Sequence, residues 1–151
     1  MDNFEHIAEK TITHKLRTRW FEVAKMFSDI AEQLNGSLSM AFILLAINDT
    51  YGTPVTKIAP RMGMEPNSLS RILKTMEKKG AIYKRKDKKD SRKVYICLTD
   101  YGKEMRRVSF ERFTAFEILL HAEIGEEKLG VFFQVMDKIP ILAEQFRKEN
   151  Y

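Results

Sequence analysis

A chain of 151 residues is one domain's length, and 44% hydrophobic with 31% charged residues describes a polypeptide that buries a core rather than a disordered one. Its single cysteine, Cys97, excludes an internal disulfide framework, and no apolar run reaches the roughly eighteen residues of a membrane span. The opening Met1-Asp2-Asn3-Phe4-Glu5 lacks the basic start and apolar stretch of a secretory signal, so a soluble, cytoplasmic protein of net charge +5 is expected.

In chain order, Asn3 to Leu34 reads as a helix. Leu16, Trp20, Val23, Phe27, Ile30 and Leu34 recur in steps of four and three, a narrow apolar seam that Phe4, Ile7 and Ile12 continue less regularly. Asn35-Gly36 stops it. A second helix, Ser39 to Ile47, is apolar almost all round and should be central. Asn48 to Thr53 reads as a loop. A short helix, Lys57 to Met62, follows with Thr56 as its cap and Gly63 as its end. Pro60 falls inside that helix and removes a backbone hydrogen bond, so a short or irregular element is expected. The next helix opens at Pro66 and stops at Gly80, with Leu69, Ile72, Leu73 and Met76 forming one apolar face.

Ile82 to Lys84 then runs into a charged turn, and Val94 to Leu98 returns with strand character. Helix, tight turn, helix and basic hairpin is the winged helix-turn-helix order. Thr99 caps a long helix from Asp100 to about Ala122, and Gly125 ends or bends that region. Glu126-Glu127 opens a last helix, in which Pro140 predicts a kink or break near Asp137. The expected fold is mainly α with a small β hairpin, in one domain. Residues 39–99 form the winged module, 100–124 a connecting helix, and 1–34 with 125–151 the dimerisation helices.

Charge is concentrated in the winged module. Between Val55 and Lys93 there are 13 Lys/Arg against Glu65, Glu77, Asp87 and Asp90, a net of +9, so the remainder of this +5 chain carries −4. Such a surface suits a polyanion, and a helix beside a basic hairpin suits a DNA duplex. The terminal helices carry Trp20, Phe21, Phe110, Phe113, Phe116, Phe132, Phe133 and Phe146, more rings than one small module can bury. A two-fold dimer would cover them.

Asp90-Ser91-Arg92 on the turn, the alternating Val94, Ile96 and Leu98, then Leu98-Thr99 and Gly102 resemble the signature of the MarR-type winged-helix transcription regulators. Ser68-Leu69-Ser70-Arg71 with Lys78-Lys79-Gly80 fits that family's recognition helix. By length and element order the resemblance covers essentially the whole chain, although Pro60 stands where the family has a helix-friendly polar residue. It implies an obligate homodimer acting as a transcription regulator, often responsive to a small ligand or oxidant. A dimer with two winged modules should cover a pseudo-palindromic duplex operator, and a repressor that occludes a promoter is the preferred reading. The resemblance also places Arg92 in the DNA minor groove, and a small aromatic anion where the dimer helices meet the winged module. His14, Arg17, Trp20 and Phe42 could line that junction, although each has an ordinary structural explanation.

On the recognition helix the wheel sends Asn67, Arg71, Lys74 and Lys78 outward, with Ser68, Ser70 and Thr75 flanking them. Asn67 and Arg71, near the N-terminal end, are the candidates for base edges, whereas Ser68, Lys74 and Lys78 suit phosphates. For Lys79 plain solvation is preferred. In the wing Arg85, Lys86, Lys88, Lys89, Arg92 and Lys93 flank the turn, which Asp90 orients.

No constellation for catalysis or metal binding accompanies these residues. His6, His14 and His121 do not share helical spacing, and there is no glycine-rich phosphate loop. No enzyme and no cofactor are expected. By period two, Cys97 should point away from the core as a small residue replaceable by serine, rather than a sensor. A winged-helix adaptor that binds protein rather than DNA is the alternative reading.

Overall fold

The computed structural model describes residues 9–90 and 92–150. The helical content expected of residues 3–8, with Phe4 and Ile7, and the position of Ser91 lie outside the described residues. Contacts divide the chain into two units, Met1–Phe110 and Glu111–Tyr151.

In the first unit, α1 spans Ile12–Gln33, with the Thr11 hydroxyl accepting from the His14 N–H at 3.3 Å. Within the described residues this helix begins at Ile12, directly behind its cap. It ends through Asn35, which takes the left-handed conformation (φ 55°), while the Gly36 N–H closes on the Ala31 carbonyl. Helix α2, Leu38–Ala46, is capped by Ser37. Its Ile43 and Leu44, with Ile47 just beyond, are essentially inaccessible to solvent.

The stretch from Asn48 to Gly52 is a tight turn. Asn48 Oδ1 accepts from the N–H groups of Thr50 (3.1 Å) and Tyr51 (2.8 Å). Thr53–Pro54 forms a two-residue strand, β1, that the hydrophobic pattern gave no reason to expect. Helix α3 covers Val55–Met62 and Gly63 terminates it in the left-handed region. Pro54, not Thr56, occupies the cap, and no side chain bonds the first turn. The Thr53 hydroxyl instead serves the preceding turn, accepting from the Asn48 N–H at 2.9 Å. Pro60 lies inside α3 without breaking it, since a helix of eight residues loses only one internal bond to the proline.

Helix α4 spans Pro66–Lys78, β2 Ile82–Lys86 and β3 Val94–Leu98. The sheet has three strands in the order β1-β3-β2, all antiparallel, with Thr53 opposite Ile96 and Tyr83 opposite Cys97. Ile58, Met76, Ile82 and Ile96 join Ile43, Leu44 and Ile47 at the centre of the core.

Cys97 lies outside the core cluster that Ile96 and Leu98 join, as the alternation requires, but it is only 6% exposed. The turn before β1 roofs that face of β3. A β-carbon added to Gly52 would stand 2.6 Å from Cys97 Sγ and 2.7 Å from the Ile96 carbonyl oxygen. Period-two reasoning assumed one solvated face, and β1 with Gly52 removes it.

Helix α5, Asp100–Ile124, starts beneath the Thr99 hydroxyl, which accepts from the Gly102 N–H at 3.0 Å. It runs across the division into the second unit, where Gly125 (φ 82°) precedes α6, Glu126–Asn150. Pro140 is accommodated within a continuous α6, so the expected break near Asp137 is absent. Phe132 and Phe133 meet edge to face at 5.8 Å and remain half exposed, and Phe146 is 64% exposed.

Candidate nucleic-acid interface

Helix α4 owes its orientation to Leu69, Leu73 and Met76, each 3% exposed or less. Burial of such side chains contributes about 1.5–3 kcal/mol apiece, enough to fix which face turns outward. The opposite face carries Asn67, Ser68, Ser70, Arg71, Lys74 and Lys78, all exposed. The helix N-terminus, with its unsatisfied N–H groups, lies at the same end as Asn67 and Ser68. Ile72, assigned to the apolar face, is only partly buried at its edge. Lys79 is not merely solvated: its Nζ donates to the Asn35 carbonyl (2.5 Å) and to Asn35 Oδ1 (3.1 Å), tying the end of α4 to the α1–α2 junction.

The wing is ordered chiefly by a carboxylate that sequence reasoning had not singled out. Asp87 Oδ1 accepts from the N–H groups of Lys89 (2.8 Å) and Asp90 (3.0 Å), and these two bonds hold its pKa below the ordinary value. Asp90 continues the turn by accepting from the Arg92 N–H at 3.1 Å, the orienting role expected of it. Asx geometry in Asp87-Lys88-Lys89 was the available signal. Lys88, Lys89 and Arg92 stand exposed around this turn.

Arg85 differs from its neighbours. It is exposed, yet its Nη2 donates to the Tyr51 carbonyl at 2.7 Å and its guanidinium lies 5.3 Å from the centroid of the Tyr95 ring. The Cys97 side chain, foremost among several influences, raises its pKa above the ordinary value. Arg85 thus straps the wing to the Asn48–Gly52 turn. On the other side of β2, Lys84 pairs with Glu77 of α4 at 2.6 Å. Among the described residues no group of three His, Cys, Asp or Glu could hold a metal ion, and no helix is long and apolar enough to cross a membrane.

A buried-faced second helix, a preceding short helix closed by a left-handed glycine and a charged three-stranded wing define a winged helix-turn-helix module. The chain matches the MarR family model over residues 37–94. It is similar to the HTH-type transcriptional regulator SarZ of Staphylococcus epidermidis (26% identity over 87 residues, 58% of this chain). That alignment spans 59% of the relative's length, under two thirds of it. SarZ of Staphylococcus aureus is 25% identical over 64% of this chain and 68% of its own. Among solved structures, the fold matches S. aureus MepR in a DNA complex with a TM-score of 0.77 at 22% identity, covering 89% of this chain and 98% of that one. It also matches PcaV from Streptomyces coelicolor, in complex with its natural ligand, with a TM-score of 0.75 at 18% identity over 95% and 99% of the two chains.

Proposed function

We propose that the protein is a cytoplasmic DNA-binding transcription regulator, acting as a homodimeric repressor on a pseudo-palindromic operator. The observation that carries this reading is the exposed polar face of α4 together with the exposed Lys88, Lys89 and Arg92 of the wing turn, in a segment of net +9. Asn67 and Arg71 would read base edges from the N-terminal half of α4, with Asn suited to adenine and Arg to guanine. Ser68, Ser70, Lys74, Lys78, Lys88 and Lys89 would hold phosphates, and Arg92 would enter the minor groove. Arg85, held by Tyr51 and Tyr95, would set the pose of the wing more than touch the duplex. Solved winged-helix relatives such as MepR, seen with DNA, support the reading.

The dimer would pair residues 1–34 and 125–151 of two copies, covering Phe132, Phe133 and Phe146. A small aromatic ligand would relieve repression at the junction of His14, Arg17, Trp20 and Phe42, where Trp20 and Phe42 already stack at 6.3 Å. The deciding experiment selects duplexes from a random pool and titrates salt on the winner. A steep fall of affinity with salt and a recurrent two-fold motif support the reading. No selected motif, with a shallow salt slope, would leave the adaptor alternative.

A further inference from the structure

A cleft of about 250 Å³ lies on the first unit between α5 and the Asn48–Gly52 turn, lined by Asp49, Lys103, Arg106, Arg107 and Phe110. The α5 residues sit at i, i+3, i+4 and i+7, so they share one face. Arg107 is already satisfied, its Nε and Nη2 forked onto Glu104 at 2.9 and 2.6 Å. The other two cations are not. Lys103 comes only within 3.8 Å of the fully exposed Asp100, and Arg106 Nη1 lies 3.9 Å from Asp49 Oδ2. Arg106 Nε is buried and has no acceptor.

A buried donor without an acceptor is uncommon, and the carboxylate facing this guanidinium stands 3.9 Å from Nη1, beyond hydrogen-bond distance, so its charge is under-matched. We propose that this cleft binds a small oxyanion, the phosphate or carboxylate group of a small molecule, on Arg106 and Lys103, with the exposed Phe110 ring as an apolar wall. The bound anion would displace Asp49, whose charge it repels. Asp49 shares its turn with Tyr51, whose carbonyl anchors Arg85 of the wing, and with Gly52, which roofs Cys97. Occupancy would therefore loosen the strap on the wing. This coupling rests on the duplex-binding reading above, whereas the anion site itself does not.

The test follows backbone amide resonances of the full-length protein while inorganic phosphate or citrate is added at constant ionic strength, with chloride as the control. Saturable shifts at Asp49–Tyr51 and Lys103–Phe110 are expected, with at least tenfold weaker binding in Arg106→Gln. Should that variant fail to fold, Lys103→Gln on the exposed side of the cleft makes the same comparison. A response to phosphate alone or citrate alone identifies the head group. No saturable response beyond chloride, or variants that bind like wild type, would overturn the site. In a second arm, the ligand that binds should lower duplex affinity at least threefold in wild type but not in Lys103→Gln. Unchanged duplex affinity at saturation would overturn the coupling while the resonance data still stand. Absence of any duplex binding would instead count against the regulator reading.

Discussion

Gly102 lies so close to the carbonyl of Ala81 that an added β-carbon would overlap its oxygen. The same carbonyl accepts from the Thr99 N–H at 3.1 Å, and the Thr99 hydroxyl donates to the Gly80 carbonyl at 2.6 Å. The start of α5 is thereby locked onto the turn that follows α4. Gly102→Ala is expected to destabilise the fold by about 1–3 kcal/mol, read as a lower urea midpoint with an unchanged slope. An unaltered midpoint would show that the approach is looser than described.

Arg71 and Lys89 should fail in different ways. Arg71→Ala is expected to cost about 1–3 kcal/mol on the selected operator and much less on scrambled duplex. Lys89→Ala should weaken both duplexes alike and lower the salt slope by about one per subunit. Salt titrations of each variant on both duplexes make the comparison. Equal losses for Arg71→Ala on the two would remove α4 as the reading head.

Cys97, roofed by Gly52, should react with a thiol reagent only when the fold opens. Labelling of the native protein is expected to be slow and to accelerate sharply in denaturant. Labelling at the rate of a free thiol under native conditions would place the sulfur at the surface after all.

The wing turn should be acid-sensitive through Asp87. Its native pKa is depressed, so the contribution of its two backbone bonds is full above the ordinary value of 3.8 and is lost as pH falls through the lower native value. The Lys89 and Asp90 amide resonances should therefore hold steady at neutral pH and move together below that range. Asp87→Asn should uncouple them from this titration. Movement centred at or above the ordinary value would contradict the assignment.

Removal of everything after Gly125 should leave an aggregating or poorly folded chain, because it deletes α6 with its apolar residues while leaving exposed those of α5, such as Ile118 and Leu119. A truncated protein that sediments as a folded monomer with full duplex affinity would refute the dimer.

Most of this architecture was legible because its signals are local. Gly63 and Gly80 take the left-handed conformations their positions suggested, and Leu69, Leu73 and Met76 turn inward as their spacing required. What was not legible depends on partners distant in sequence. Thr53-Pro54 carries no strand pattern and becomes one only by pairing with Tyr95 and Ile96. The burial of Cys97 beneath Gly52 and the bond from the exposed Arg85 to Tyr51 both come from the turn that leads into this strand. Lys79 looked like a solvated cation until the fold brought it to Asn35, 44 residues earlier.

The strand order has a consequence for solubility. β3, the most apolar strand, occupies the middle of the sheet, so both its edges are paired. One open edge is β1, two residues long and half proline; the other is β2, which carries Lys84, Arg85 and Lys86. An unpaired edge invites another chain to add a strand, and short, proline-bearing or cationic edges discourage it. The cations on β2 thus guard the protein against sheet-to-sheet aggregation, whatever else they contact, and replacing Lys84 and Lys86 with threonine would open a path to fibrillar association at high concentration.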